Sequence, residues 1–292
     1  MNILITGGTG FVGRALIQKL IEQGEQVTIL SRTPQNFTAC FPKTIRFLTA
    51  LSPTDTFDAV INLAGEPIFN RAWTEKQKNI LFRSRINLTN QLVEKINLTK
   101  QTGVLISASA TRIYGDYGNA PITEQSPVRQ HFVAKLCREW EQAALRAKTR
   151  VCVMRIGMVL DKSGGALNKM LPIYQRGLGG RLGAGTQYWS WIALKDMVNG
   201  ILFLLDNSNA QGIFNFSAPT PVMNQEFNRQ LGRALHKPSC LHVPASLLKF
   251  ILGERASILL DSQKVYPIAL LKHGFIFQFP VLENYLQKDL IG

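Results

Sequence analysis

The sequence predicts an α/β fold, a doubly wound parallel sheet joined to a smaller C-terminal lobe. Three observations predict it. Short β-branched runs alternate with helical periods through the first half of the chain. Those runs are apolar throughout instead of alternating, as strands covered on both faces must be. After about Asp161 the rhythm changes to a glycine-rich stretch (Gly177, Gly179, Gly180, Gly183, Gly185) and then to helices punctuated by Pro238, Pro244, Pro267 and Pro280.

Taken in order, strands are expected at Asn2–Thr6, Gln26–Ser31, Ile45–Phe47, Ala59–Leu63, Val104–Ser107 and Val151–Ile156. Helical periods fill Val12–Gln23, Trp73–Ile96 and Phe132–Arg146. A helix at Leu194–Leu205 and a strand at Ile213–Phe216 return to the earlier pattern. Residues 1–160 therefore read as one domain, with 190–218 rejoining it, and residues 161–292 mainly as a second lobe. No low-complexity linker or internal repeat separates them, so a cleft between two parts of one body is expected.

Bulk properties narrow the function classes. At 292 residues and 46% apolar, the chain can bury one large core. No run approaches the ~18–20 apolar residues of a membrane span; the longest, Gly200–Leu205, stops at Asp206. Met1 leads directly into a strand without a basic segment or cleavage site, which predicts a cytoplasmic protein with no membrane partner. Cys40, Cys137, Cys152 and Cys240 form no CxxC pair and have no His at ligand spacing, so reduced thiols and no metal site are expected. The net charge is +14, but the 33 Lys and Arg residues are spread along the chain. A nucleic-acid reader concentrates them on one stripe, so no specific nucleic-acid partner is expected, and the surplus favours small anions. Nothing distinguishes a monomer from a homodimer.

The clearest chemistry lies in Ile3-Leu4-Ile5-Thr6-Gly7-Gly8-Thr9-Gly10-Phe11-Val12-Gly13. A strand ends, glycines follow at three-residue spacing, and an amphipathic helix begins. Gly7 permits a sharp turn, Gly10 removes a Cβ where a pyrophosphate approaches, and Gly13 allows close packing of helix on strand. The helix N-terminus offers free N–H groups to the anion. This is the fingerprint of a Rossmann-type dinucleotide site, assigning Gly7, Gly8, Thr9, Gly10, Phe11 and Val12 to the cofactor.

The second strand selects the cofactor. An NAD site usually places a carboxylate there for the ribose 2′-hydroxyl. This chain has Leu30-Ser31-Arg32-Thr33. Ser31 can donate to a 2′-phosphate and Arg32 can pair with it. A charge-assisted hydrogen bond is worth about 1.5–3 kcal/mol, or about 10- to 150-fold in affinity, so NADP(H) is the expected cofactor. Small residues at the fourth strand's exit, Leu63-Ala64-Gly65, let the adenosine side and bridging phosphates pass closely.

The Thr6–Gly13 loop, the Asn62-Leu63-Ala64-Gly65 turn and Ser107-Ala108-Ser109-Ala110 together resemble the extended short-chain dehydrogenase/reductases. The segments Leu63-Ala64-Gly65-Glu66-Pro67, Arg71-Ala72-Trp73-Thr74, Ser84-Arg85-Ile86-Asn87, Gly177-Leu178-Gly179-Gly180 and Trp189-Ser190-Trp191-Ile192 resemble its epimerase-like atypical subgroup. That subgroup is an NAD(P)-dependent epimerase/dehydratase family with an extra C-terminal domain, here 242–290. The resemblance runs end to end. It implies that Arg85 reaches the NADP phosphates and that Val159 lines the nicotinamide end.

The resemblance also implies a catalytic Tyr with a Lys four residues later. The six tyrosines are followed at that spacing by Gly118, Pro121, Leu178, Ile192, Leu270 and Asp289, so the pair is missing. Three substitutes present themselves. Ser109 ends a strand and reads as a substrate-side or a structural hydroxyl. Tyr114 is expected at the cleft mouth as a proton donor or a packing aromatic. His131 with Lys135 keeps the Tyr–Lys spacing, although such a pair is usually a solvated face. Arg71, Arg112 and Arg155 could make the cleft basic, pointing to an anionic or nucleotide-linked small-molecule substrate. Two functions follow: an NADP(H)-dependent oxidoreductase or epimerase, or a non-catalytic NADP(H)-sensing regulator.

Overall fold

The computed structural model describes residues 1–290. Its centre is a seven-stranded sheet built from β1 (Asn2–Thr6), β2 (Gln26–Leu30), β3 (Arg46–Leu48), β4 (Ala59–Asn62), β5 (Val104–Ala110), β6 (Arg150–Ile156) and β7 (Gly212–Phe216). The spatial order is β7-β6-β5-β4-β1-β2-β3, and every pairing is parallel. The order reverses between β1 and β4, so a crevice opens beyond their C-terminal ends, where ligands bind in sheets of this kind.

Both sheet faces are covered, which explains the continuously apolar strands. Ile3 and Ile5 face a core shared with helices α1 (Phe11–Glu22) and α6 (Leu194–Asp206). Leu4, Val60 and Leu105 point to the other side, where helices α3 (Leu88–Thr99) and α4 (Phe132–Ala144) pack. The helical period expected over Trp73–Ile96 is divided. Helix α2 (Glu75–Phe82) is capped by the Thr74 hydroxyl, and a five-residue π-helical turn, Arg83–Asn87, separates it from α3. Strand β5 runs to Ala110, beyond the expected Ser107, because Val104–Ala110 pairs in full with Arg150–Ile156.

The later chain forms helices α5 (Gly165–Gln175) and α7 (Asn224–Ala234) around a second core of Trp189, Trp191, Phe227, Phe279 and Tyr285, and helix α8 (Ala245–Leu252) follows. Two short parallel pairings tie it together: Gly180–Leu182 with Leu241–Val243, and Lys264–Val265 with Pro121–Ile122. The second fastens the C-terminal segment to the loop leaving β5. Among the described residues, no helix is long and apolar enough to cross a membrane.

One buried carboxylate pins the last segment. Asp196, fully buried in the first turn of α6, accepts from the backbone N–H of Gln278 at 2.7 Å and of Phe279 at 2.9 Å. Asp196→Ala leaves both donors unsatisfied and should cost about 2–4 kcal/mol. Urea unfolding measures the loss, and limited proteolysis should cut first near residues 277–279. An unchanged unfolding midpoint would contradict the assignment.

Candidate functional site

The loop between β1 and α1 is shaped by backbone contact. Gly7 has φ +71°, and a Cβ there would lie 2.6 Å from the Leu63 carbonyl carbon and 2.8 Å from Ala64 N. The loop and the β4 exit therefore touch main chain to main chain, which only glycine allows. Gly13 is the second contact point: a Cβ there would press into Gly7 and Gly8. Gly10 differs. Only the Gly7 carbonyl lies near its missing Cβ, at 3.1 Å, and it begins α1 with no side-chain cap and no acidic residue in the first turn. The first N–H groups of α1 are thus left for an external acceptor.

Other predicted residues gather on the same edge. The Phe11 ring fills the space that a Cβ on Gly164 or Gly165 would need, and the Val159 carbonyl lies 3.0 Å from the latter position. Phe11 and Val159 are thereby brought together; Val12 stands half-buried beside them. Thr9 contributes its carbonyl to Arg14 Nε at 2.9 Å. At the end of β2, Ser31 donates its N–H to Leu48 at 2.9 Å, and its hydroxyl accepts from Thr33 N at 3.4 Å. Arg32 is exposed and makes no hydrogen bond or ion pair among the described residues.

Arg85 occupies the π turn. Its Nη2 donates to the Glu66 carbonyl at 2.9 Å, its Nη1 to the Leu81 carbonyl at 3.3 Å, and its guanidinium carbon lies 5.2 Å from the Trp140 ring centre. A Cβ on Gly65 would come within 2.8 Å of that carbon, so the guanidinium lies against a bare turn. No carboxylate pairs with it among the described residues, and burial holds its pKa below the usual arginine value. Thr89 fixes the turn by donating to the Arg85 carbonyl at 2.7 Å while accepting from Asn62 Nδ2 at 2.8 Å and Trp140 Nε1 at 3.0 Å. Asn62 in turn accepts from the Thr6 hydroxyl at 2.7 Å, linking the π turn to the end of β1.

The two catalytic candidates have other partners. Ser109 donates to Glu141 Oε1 at 2.6 Å. Glu141 and Arg155 form a buried two-pronged pair, Nε to Oε1 at 2.9 Å and Nη2 to Oε2 at 2.8 Å. Arg155 Nη1 donates to the Tyr114 hydroxyl at 2.9 Å, which donates to Asn215 Oδ1 at 2.8 Å. Tyr114 has no exposed surface, and burial pushes its pKa up to about 12. Both side chains are buried with their hydroxyls engaged in this network, the structural-hydroxyl and packing-aromatic arrangements among the alternatives the sequence offered. Arg155 is likewise a structural cation and adds no positive charge to a substrate surface.

The remaining candidates are dispersed. His131 caps α4, its Nδ1 accepting from Ala134 N at 3.4 Å, and burial with the nearby Arg112 lowers its pKa. Lys135 points away to Glu139, so the two do not work as a pair. Arg112 donates to the Ser257 carbonyl at 3.4 Å; burial lowers its pKa to about 10 against the opposing pull of Asp261 and Asp116. Arg71 is exposed and unpaired among the described residues. A cavity of about 710 Å³ lies between the turn after β5 and the C-terminal segments. Its charged side chains are Asp116, Lys249, Glu254 and Asp261.

Comparison with known proteins fits this geometry. The pattern of the NAD dependent epimerase/dehydratase family matches residues 3–216, and that of a domain of unknown function (DUF1731) matches residues 243–288. The chain belongs to the NAD-dependent epimerase/dehydratase family. The chloroplastic homologue of epimerase family protein SDR39U1 from Arabidopsis thaliana is 38% identical, over 98% of this chain and 86% of that one. The crystal structure of human epimerase family protein SDR39U1 (isoform 2) with NADPH superposes with a TM-score of 0.90 at 32% identity, covering 99% of both chains. The nucleoside-diphosphate sugar epimerase of Corynebacterium glutamicum gives 0.80 at 29%, over 99% of this chain and 58% of that one.

Within this epimerase-family chain the first match spans all seven sheet strands, and the second spans the segment laced to the β5 loop. Sequence reasoning missed Asn62, Thr89 and Trp140, which position Arg85, and Glu141, which takes up Ser109. Buried Glu141 within an otherwise apolar helical face was the one available signal.

Removing one member of a buried ion pair strands the other, so Arg155→Met should cost about 3–5 kcal/mol in urea unfolding. Tyr114→Phe should cost about 1–2 kcal/mol and leave nucleotide affinity unchanged. With its folded pKa raised, Tyr114 favours the native state fully below pH ~10, and that contribution fades as pH climbs towards 12. Ultraviolet titration that ionised every tyrosine near pH ~10 in the folded protein would refute this.

Proposed function

We propose that the chain binds NADP(H) along the C-terminal edge of its sheet and uses it in an oxidoreductase or epimerase reaction on a small, polar, nucleotide-linked substrate. One observation carries the reading. The uncapped start of α1, Arg32 and Arg85 present positive groups along one edge, and none is paired with a carboxylate among the described residues. A dinucleotide with a 2′-phosphate supplies the missing anions.

The backbone from Gly7 to Val12 would receive the pyrophosphate, with Leu63, Ala64 and Gly65 as the opposite wall. Ser31 and Arg32 would hold the 2′-phosphate, Arg85 a bridging phosphate, and Val159 the nicotinamide end. Bound there, the nicotinamide would supply reversible hydride transfer. The human relative crystallised with NADPH supports the cofactor. The Corynebacterium protein's name, nucleoside-diphosphate sugar epimerase, supports a nucleotide-linked substrate. Anionic character in that substrate now rests on Arg71, since Arg155 is paired with Glu141 and Arg112 sits in the field of Asp261 and Asp116.

A second reading, an NADP(H) sensor without turnover, is favoured by one observation: the hydroxyls of Ser109 and Tyr114 are both engaged in the buried network. Loss of NADPH absorbance against a panel of carbonyl compounds and nucleotide sugars separates the two. Tight binding with no turnover on any of them selects the sensor.

Arg32→Asp should weaken NADPH binding by about 10- to 150-fold while sparing NADH. Arg85→Ala should weaken both nucleotides by a similar factor, because both carry the pyrophosphate. Fluorescence titration measures each affinity. Equal affinity of the unmodified protein for NADH and NADPH would defeat the NADP(H) assignment.

A further inference from the structure

We infer that Arg14 is a second cation for the adenosine 2′-phosphate, acting with Arg32 to set the preference for NADP(H); the inference rests on the cofactor reading above. Arg14 lies one turn into α1, yet its side chain reaches back, with Nε donating to the Thr9 carbonyl at 2.9 Å. The guanidinium carbon stands 5.9 Å from the ring centre of Phe37, in the turns that follow β2. The side chain therefore spans from the glycine loop to the segment that begins with Ser31 and Arg32. This is the crevice between the ends of β1 and β2.

Its electrostatics are otherwise unexplained. A cation near the N-terminus of a helix sits at the wrong end of the dipole. The first turn of α1 holds no acidic residue to offset it, and neither Arg14 nor Arg32 forms an ion pair among the described residues. The single strong contact uses Nε, and among the described residues neither terminal NH₂ group of Arg14 has an acceptor. The Thr9 carbonyl and the Phe37 ring fix the direction in which they point. Two guanidinium groups, one from α1 and one from the segment after β2, suit a dianionic phosphate with three acceptor oxygens. A ribose hydroxyl would use neither charge.

The test uses the full chain, titrated by fluorescence with NADPH and with NADH, in the variants Arg14→Gln, Arg32→Gln and the double variant. Each single change should lower NADPH affinity about tenfold or more and move NADH affinity less than about twofold. The double variant should bind the two nucleotides alike. Circular dichroism establishes that each variant is folded; both side chains are exposed, so folding is expected to be retained. An Arg14→Gln protein that keeps the full NADPH preference, while Arg32→Gln loses it, overturns the inference and leaves the cofactor reading standing. Preference unaffected by either change, or absent from the start, overturns both.

Discussion

Arg155 ties the central sheet to helix α4 and to the C-terminal segment through one buried polar network. From β6 it grips Glu141 on α4, and through that carboxylate reaches Ser109 on β5. Through Tyr114 it reaches Asn215 on β7, whose side chain donates to the Tyr266 carbonyl of the C-terminal segment at 3.0 Å. Desolvating such a pair costs several kcal/mol per ion, and the arrangement survives only when nearly every donor and acceptor is matched. That requirement consumes the hydroxyls at the exit of β5. Through them the exit of β5 is joined to both α4 and the C-terminal segment.

This constraint explains what was legible in the sequence. The glycine loop could be read because its physics is local: three glycines, a strand before them and a helix after them fall within thirteen residues. The sheet could be read because burial on both faces leaves continuous apolar runs. The roles of Ser109 and Tyr114 could not, since their partners lie 32 and 101 residues away, and strand position does not say which way a hydroxyl points. Thr89 carried no signal at all. A threonine inside a helix is ordinary until Asn62, Trp140 and the Arg85 carbonyl are seen to converge on it.

The charge surplus divides along the same line. Some cations are spent internally: Arg150 donates to the carbonyls of Leu204, Leu205 and Ala210, closing the C-terminal end of α6. Such a guanidinium satisfies orphan carbonyls and needs no counter-ion. Arg85 and Arg32 are different, because their positions at the sheet edge bring them carbonyls or solvent but no carboxylate partner among the described residues. Net charge alone could not have separated these groups.

The π turn shows how one residue changes which face a cation occupies. Leu81 and Thr89 are both fully buried. On a regular α-helix, residues eight apart are about 80° out of phase, near opposite margins of one buried stripe. Absorbing one residue in the wide turn brings them within about 20°. The extra residue falls between them, in Arg83–Asn87, and Arg85 sits at its centre. The distortion lets Leu81 and Thr89 anchor the helix on either side while the arginine is delivered over Gly65.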